Sequence, residues 1–311
     1  MNKMILTTTI LCLFSLTTFN IIAQEKYTLK NRYPQGNYAM QFETDMEMKI
    51  EVDGRTIPNH STQTQYQNIT VKPIASDGSQ QINVEVKRIV MKQMINGQKI
   101  EFDSADDKAQ FSPFKILGIM VGLKVTISLD QDGKITKMEG LDEFLEQHAQ
   151  NIPKQAFEML KRQFSDKSLA KMFDILRETM PQQPVAVGEQ WKSESVSEIL
   201  VIGKVKTEQT NTLKEIQSVD GTELATIVSQ SRIKSDSPQE MEMAATKMTL
   251  KSTDVDSEST IQMEMKTGLV VSNITQINMK IETETINNNK TLQQTMTGKG
   301  KTTMTITRTE K

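Results

Sequence analysis

The sequence predicts an α+β fold that is mainly antiparallel β-structure, arranged as a long curled sheet or half-open barrel. Three observations predict it. Apolar and polar residues alternate over a long run, residues 38–52; Asp-Gly and Asn-Gly dipeptides recur along the chain; and the periodicity becomes helical between residues 141 and 180. Together they predict one β-rich domain, residues 24–311. Two β regions, 27–139 and 185–309, flank an insertion of two or three helices, 140–181, which is expected to pack on the concave face of the sheet.

The run from Tyr38 to Val52 predicts the first long strand. Its even positions are mostly apolar, whereas its odd positions are mostly charged. A period of two residues is typical of a strand with one buried face and one face in water. At roughly 3.4 Å per residue the strand would be about 50 Å long, whereas strands usually contain about 5–6 residues. Such a length favours a strongly curled sheet over a flat sandwich.

Tight turns punctuate the rest of the two β regions. Asp-Gly and Asn-Gly suit the positive φ angles that hairpin turns require. The dipeptides are Asp53-Gly54, Asp77-Gly78, Asn96-Gly97, Asp132-Gly133 and Asp220-Gly221. Alternating segments at 82–86, 123–129, 277–281 and 304–306 predict further strands.

The two β regions also resemble each other. Residues 70–78 are similar to residues 212–221 with one residue inserted, and a strand–turn–strand pattern surrounds both Gly133 and Gly268. Either a β unit is duplicated in this chain, or Thr-rich strands resemble each other by chance.

The insertion has the apolar spacing of helices. Leu141, Phe144 and Leu145 share one face of a first helix, and Phe157 belongs to the apolar stripe of a second. Trp191 follows the insertion, at the start of the second β region. It is interpreted either as a core anchor or as a lip on a ligand cavity.

The first 23 residues predict a secretory signal peptide. Lys3 provides a basic start, residues 4–22 carry no charge, and cleavage is expected after Ala23. The alternative is an uncleaved membrane anchor of about 19 residues. The only cysteine, Cys12, lies in this segment, so the mature chain would have no disulfide and no Cys-ligated metal. A periplasmic, outer-membrane-associated or secreted location follows as an expectation.

The composition limits the classes of partner. The net charge of −2 offers no basic excess for nucleic acid or an anionic membrane surface. Aromatic residues make up only 5% of the chain, whereas methionine occurs 20 times. Methionine is flexible and polarisable, and it suits either ordinary core packing or an adaptable apolar wall.

One segment resembles an EF-hand calcium loop. Asp130, Asp132 and Glu139 fit loop positions three, five and twelve. Ser128 occupies the first ligand position, however, and the preceding residues alternate as a strand rather than a helix. A hairpin with an Asp-Gly turn explains the same residues, and calcium binding is kept as the alternative.

The sequence contains few residues or motifs that could support catalysis. The chain has only two histidines, His60 and His148, and it lacks a nucleophile elbow, a His-Glu-x-x-His helix and a phosphate-binding glycine loop. Acidic residues mostly alternate along strands. The sequence therefore predicts a protein that is not an enzyme and has no cofactor.

Three short motifs carry a resemblance to known families. They are Ile22-Ala23-Gln24 at the cleavage site, the Asp-x-Asp-Gly-x-Ile hairpin at 130–135, and Val-Gly-Glu-Gln-Trp at 187–191. With them the chain resembles exported bacterial β-rich families of unknown function, which imply no activity. The expected architecture is also similar to the LolA/LppX-type lipoprotein carriers, an analogy of fold that transfers no site residues.

These observations leave three classes of function. The first is an envelope protein that binds an apolar ligand, such as a lipid or acyl chain, between the sheet and the helices. Its predicted apolar wall comprises Met40, Phe42, Met46, Met48, Ile50, Phe144, Phe157 and Trp191. The second is a non-catalytic protein that binds another envelope protein and fills its own core. The third, a membrane β-barrel, is disfavoured by the few aromatic residues, because such barrels carry aromatic girdles.

Overall fold

The protein is described by a computed structural model. The residues that it describes are 25–29, 33–106, 115–131, 133–151, 157, 161, 166, 180–199, 203–235, 238–243, 246–287 and 290–309. The predicted signal peptide, residues 1–23, lies outside this part of the chain.

Fifteen strands, two short α-helices and a 3₁₀ turn are the named elements of the described secondary structure. The strands of the first β region are β1 (Lys26–Tyr27), β2 (Gly36–Val52), β3 (Arg55–Val71), β4 (Gln80–Ile95), β5 (Gln98–Asp103), β6 (Lys124–Leu129) and β7 (Ile135–Glu139). Those of the second are β8 (Val185–Ala186), β9 (Gln190–Ile199), β10 (Gly203–Val219), β11 (Thr222–Lys234), β12 (Gln239–Met243), β13 (Thr246–Glu264), β14 (Val270–Asn287) and β15 (Lys290–Thr309). The helices are α1 (Lys115–Ile119) and α2 (Leu141–His148).

One antiparallel sheet of 13 strands dominates the molecule. Its strands follow the order β7-β6-β4-β3-β2-β15-β14-β13-β11-β10-β9, with β5 added beside β4 and β12 beside β13. Among the described strands, β7 and β9 end this order without pairing to each other, so the sheet is open. The prediction of a mainly antiparallel, curled and unclosed sheet is confirmed.

The long strand and its turns form as the sequence predicts. β2 extends over Gly36–Val52 and pairs along its length with β3 on one side and β15 on the other. The turn at Asp53-Gly54 has φ angles of 48° and 73°, and the turn at Asp220-Gly221 has 49° and 79°. Two successive positive φ angles are the geometry of a type I′ hairpin turn.

The two β regions follow one strand scheme. β2-β3-β4-β6-β7 are neighbours in the sheet in chain order, and so are β9-β10-β11-β13-β14. The similar segments at 70–78 and 212–221 both end a strand and lead into the hairpin partner that follows it. The side strands differ, because β5 pairs with the strand before it and β12 with the strand after it.

Two hydrophobic clusters form the core. The larger cluster gathers buried residues of β2–β7 with Leu269 and with Leu141 and Leu145 of α2. The smaller cluster is composed of Leu29, Val185, Leu213, Ala225, Ile227 and Met263. Helix α2 therefore packs against the apolar ends of the first-region strands.

Only part of the predicted helical insertion is described. It contains α2 and a short 3₁₀ turn, Ala149–Asn151, and the isolated described residues 157, 161 and 166 are also helical. Asp166 accepts a hydrogen bond from the Leu141 backbone N–H at 3.2 Å, and burial raises the pKa of this carboxyl group. The remainder of the second and third predicted helices lies outside the described residues. Packing of the insertion on the concave face is not confirmed.

Glycines in β15 let methionines of β2 lie over the neighbouring backbone. Gly298 is opposite Met48 and Gly300 is opposite Met46 in the paired strands. A Cβ atom at position 300 would overlap Sδ of Met46, and one at position 298 would lie 3.1 Å from Cγ of Met48. The two glycines thus provide the space that these methionine side chains fill.

We expect the substitutions Gly300→Ala and Met46→Ala to be non-additive. In the Met46→Ala background, Gly300→Ala should stabilise the strand by about 0.5–1 kcal/mol, because alanine loses less conformational entropy on folding. In the wild-type background that gain should disappear, since the new methyl group displaces Met46. Urea unfolding of the four proteins would measure a coupling on the order of 1 kcal/mol. Additive effects would show that Met46 does not depend on the glycine.

Candidate functional site

The pairing of the strands assigns each side chain to one of two faces. Directly opposite residues of an antiparallel pair lie on the same face of the sheet. Met48 is opposite Asn59 of β3 and Gly298 of β15; Gly298 is in turn opposite Met279 of β14, and Met279 is opposite Val255 of β13. The face defined by this row is called the uncharged face, and the other is called the charged face.

The uncharged face has no ionisable Asp, Glu, Lys or Arg side chain across the middle of the described sheet, apart from exposed bulge residues. The strand segments concerned are 38–52, 57–69, 82–95, 205–216, 225–233, 253–263, 273–283 and 294–306. Arg55 and Arg308 belong to this face only at its two ends, opposite Val52 and Tyr38. Charge is therefore confined to one side of the sheet over eight neighbouring strands.

The charged face consists of exposed side chains that pair across strands. Arg232 Nη2 of β11 lies 2.9 Å from Asp254 Oδ2 of β13, and its hydrogen bonds lower the pKa of that carboxyl group. Lys206 lies 3.1 Å from Glu194 of the neighbouring strand. These exposed pairs contribute little to stability individually, on the order of 0–1 kcal/mol. They keep this face in water.

A band of hydroxyl and amide side chains crosses the uncharged face. We call it the polar band: Gln209, Asn211, Ser229, Ser231, Ser257, Ser259 and Thr275, from β10, β11, β13 and β14. Its members bond to one another, with Ser231 Oγ 2.7 Å from Ser257 Oγ and Ser259 Oγ 2.8 Å from Thr275 Oγ1. Gln209 Nε2 donates to Asn211 Oδ1 at 2.9 Å and to Ser229 Oγ at 2.5 Å. Uncharged groups thus satisfy each other where the face is most shielded.

An apolar strip lies beside the polar band, towards the Asp53-Gly54 end of the sheet. We call it the methionine strip: Met46, Met48, Ile50, Val255, Ile277, Met279, Ile281 and Met296. All eight side chains are half-buried, and none belongs to either core cluster. The strip is apolar surface on a single layer of sheet.

The predicted wall residues divide into two groups. Met40, Phe144 and Phe157 pack against the larger core cluster, and Trp191 packs against the smaller one. The Phe144 ring is 4.3 Å, between centroids, from the ring of His148, and Lys161 lies 5.7 Å from the ring centroid of Phe157.

The remaining predicted residues stay together on the uncharged face. Phe42, Met46, Met48 and Ile50 are half-buried and lie outside both core clusters. Sequence reasoning missed their neighbours Met279 and Met296, although the alternation of residues 277–281 had marked Met279 as a buried-face residue. The role of the eight residues in binding stays a prediction.

The calcium candidate forms a hairpin in the described residues. β6 and β7 pair across it, and Asp130 Oδ1 accepts a hydrogen bond from the Lys134 backbone N–H at 2.9 Å. Glu139 lies at the far end of β7, opposite Thr126, and is paired with Lys137 at 2.6 Å. Asp132 lies outside the described residues. In the described part, no cluster of three or more His, Cys, Asp or Glu side chains could hold a metal ion.

A groove of about 760 Å³ is lined mostly by residues of the charged face, and Met48, Asn59, Met279 and Gly298 of the uncharged face also line it. Its lining includes acidic residues, Glu47 and Asp256, and basic residues, Lys280 and Lys299, together with His60. His60 Nε2 is 2.7 Å from Asp45 Oδ1 in a neighbouring strand. The lining of the groove is more apolar than polar, and it includes two residues of the methionine strip.

A family model described as "Family of unknown function (DUF6263)" matches residues 77–270, more than half of the chain. No curated protein matches the sequence.

Among solved structures, a lipovitellin structure described by its lipid–protein interactions has a TM-score of 0.44 and 9% identity. The match covers 89% of this chain and 26% of lipovitellin, so the chain spans about a quarter of that protein. The β domain of the Bordetella autotransporter BrkA has a TM-score of 0.25 and 5% identity, covering 84% of this chain and 98% of that one. TM-scores this low carry no argument about function.

Within the described residues, no helix has both the length and the hydropathy needed to cross a membrane.

We expect Gln209→Ala to destabilise the sheet more than its neighbour Thr210→Ala. Gln209 donates to two polar-band residues, and removing a partner from shielded polar groups costs about 1–3 kcal/mol. Thr210 points to the charged face, where substitutions usually change stability by less than about 0.5 kcal/mol. Urea unfolding of both variants measures the difference. Equal stabilities would show that the polar band does not support the sheet.

Proposed function

The chain belongs to the DUF6263 family of proteins of unknown function, and we propose from its sheet that it is an exported, non-catalytic protein that binds an apolar ligand on the uncharged face. A lipid or an acyl chain is the kind of ligand that this surface suits. The proposal uses the chain's own geometry, because the family description assigns no activity.

One observation carries the proposal: the methionine strip is a continuous apolar surface outside both core clusters, on a face whose middle carries no charge. Burial of apolar surface is favourable by roughly 25 cal/mol per Å². Contiguous apolar patches on a protein surface commonly mark sites of ligand, membrane or protein binding. A ligand that covers the strip would gain this free energy without losing the hydration of any charged side chain.

The residues of the strip also suit ligands of different shape. Methionine side chains are unbranched and polarisable, so they adapt to irregular apolar partners. Met46 and Met48 lie directly over glycines, so no side chain of β15 separates them at these positions from the backbone beneath. Adaptable contact of this kind fits a class of ligands better than one rigid compound.

Mature protein that has been stripped of bound lipid should melt at a higher temperature when fatty acids, acylglycerols or phospholipids are added. A ligand at 100 times its Kd stabilises the folded state by about 2.7 kcal/mol. Native mass spectrometry of gently purified protein should also show bound lipid.

Variants on the two faces make this test specific. Met279→Gln places an amide in the strip and should reduce the ligand-induced shift, whereas Glu47→Gln on the charged face should leave it unchanged. If no lipid is bound and none raises the melting temperature, the binding proposal fails. A protein that fills its own core and binds another envelope protein would then be favoured.

Export is a separate part of the proposal, and intact-mass measurement of protein from the envelope fraction tests it. We expect the mature chain to begin at Gln24, because the segment before it has the basic start, uncharged middle and small terminal residue of a signal peptide. A chain that retains residues 1–23 would instead favour the membrane-anchor alternative.

A further inference from the structure

Thr253 of β13 has a hydroxyl group without a hydrogen-bond partner in the described part of the molecule. The residue is 3% exposed, so water does not reach this oxygen atom. Its backbone N–H is satisfied, because it donates to Ser235 Oγ at 3.1 Å. Buried hydroxyl groups are nearly always hydrogen-bonded, and an exception calls for an explanation.

The position of Thr253 connects it to the methionine strip. Thr253 is opposite Ile281 of β14, Ile281 is opposite Met296 of β15, and Met296 is opposite Ile50 of β2. All four therefore lie in one row of the uncharged face. The unpaired hydroxyl stands at the β13 end of the strip, where the apolar row meets a polar group.

Polar groups also border the methionine strip on the side of the polar band. Ser257 precedes Ser259 on the same face of β13, and both belong to the polar band. Between them and Thr253 lies only Val255 on this face. The strip is thus bordered by uncharged hydrogen-bonding groups near Thr253. Lys251, at the bulge of β13 that follows Leu250, is paired with Glu284 at 3.1 Å, and Arg55 lies at the other end of the strip, opposite Val52.

The strip crosses four strands, β2, β15, β14 and β13, and the uncharged row through Met48 continues beyond it on both sides, which gives room for an extended chain across the strands. The row through Met48 runs from Ile95 on β4 to Ile233 on β11. At roughly 4.8 Å between neighbouring strands, this row is about 29 Å long.

From these observations we infer that the ligand is a neutral amphiphile, with its apolar chain along the methionine strip and an uncharged hydroxyl or ester headgroup at Thr253 and the adjacent polar band. This inference rests on the proposed function and adds the class of headgroup. Because this oxygen atom is shielded from water in the ligand-free protein, a headgroup would reach it only by displacing the side chains that cover it. The Thr253 hydroxyl would then donate to an ester carbonyl or hydroxyl oxygen of the ligand. A carboxylate or phosphate headgroup at Thr253 would lose its hydration without gaining a free cation, because Lys251 is already paired with Glu284, and an unpaired charge away from water is strongly unfavourable.

A comparison of two probes with the same oleoyl chain tests the headgroup. Monooleoylglycerol is neutral, whereas oleate is ionised at neutral pH, and both are used below the concentration at which they aggregate. We expect monooleoylglycerol to bind the full mature protein at least about tenfold more tightly, the effect of one well-made polar contact. Equal or tighter binding of oleate would overturn the neutral headgroup while leaving lipid binding intact. Binding of neither probe or of any other lipid would overturn the proposed function as well.

The variant Thr253→Val tests the assigned residue. Valine keeps the shape of threonine and removes the unpaired hydroxyl, so the ligand-free variant should be as stable as the wild-type protein or more stable. Its affinity for monooleoylglycerol should fall about fivefold to tenfold, whereas its affinity for oleate should change less. Thr297→Val, on the charged face, is the matched control and should leave both affinities unchanged. Unaltered monooleoylglycerol binding by Thr253→Val would show that this hydroxyl does not contact the headgroup.

Discussion

The register of β2 against its two neighbours is the constraint on which the rest of the structure depends. β2 is paired from Gly36 to Val52 with β3, and from Asn37 to Val52 with β15. Because successive side chains of a strand point to opposite faces, a slip of one residue would move every methionine of β2 to the charged face. The same slip would place Glu43, Asp45 and Glu47 on the uncharged face, within and beside the methionine strip. The separation of charged and uncharged residues therefore holds the strands in one alignment.

This alignment also explains why the two ends of the sheet differ. Near Tyr38 the uncharged face is covered by the larger core cluster, which includes α2. Near Val52 the same face carries the methionine strip, whose residues are outside both clusters. The polar band lies between these regions in the second half of the sheet, where Asn211 is 1% exposed and Ser229 is 3% exposed. One face of one sheet thus combines a packed core with an apolar surface.

Local physical chemistry made β2 and its turns predictable. Alternation identifies a strand without reference to the rest of the chain, and Asp53-Gly54 identifies the turn that follows it. The pairing of β2 with β15 was not predictable in this way, because it joins residues at opposite ends of the described chain. For that reason the sequence alone could not predict that Gly298 and Gly300 make space for Met48 and Met46, which lie opposite them. The unpaired hydroxyl of Thr253 was even less predictable from sequence, because whether it has a hydrogen-bond partner depends on all the residues that surround it in the fold.

The place of β15 in the sheet has a consequence for the order in which the protein can fold. The first-region strands can pair with their sequence neighbours early, but β2 lacks its second partner until β15 is available. Contacts between such distant segments are slow to form, because a long loop must close first. Until then the edge of β2 and its row of methionines are open to other chains, and unpaired edges of this kind favour aggregation. We therefore expect the newly made protein to depend on chaperones until β15 has paired with β2.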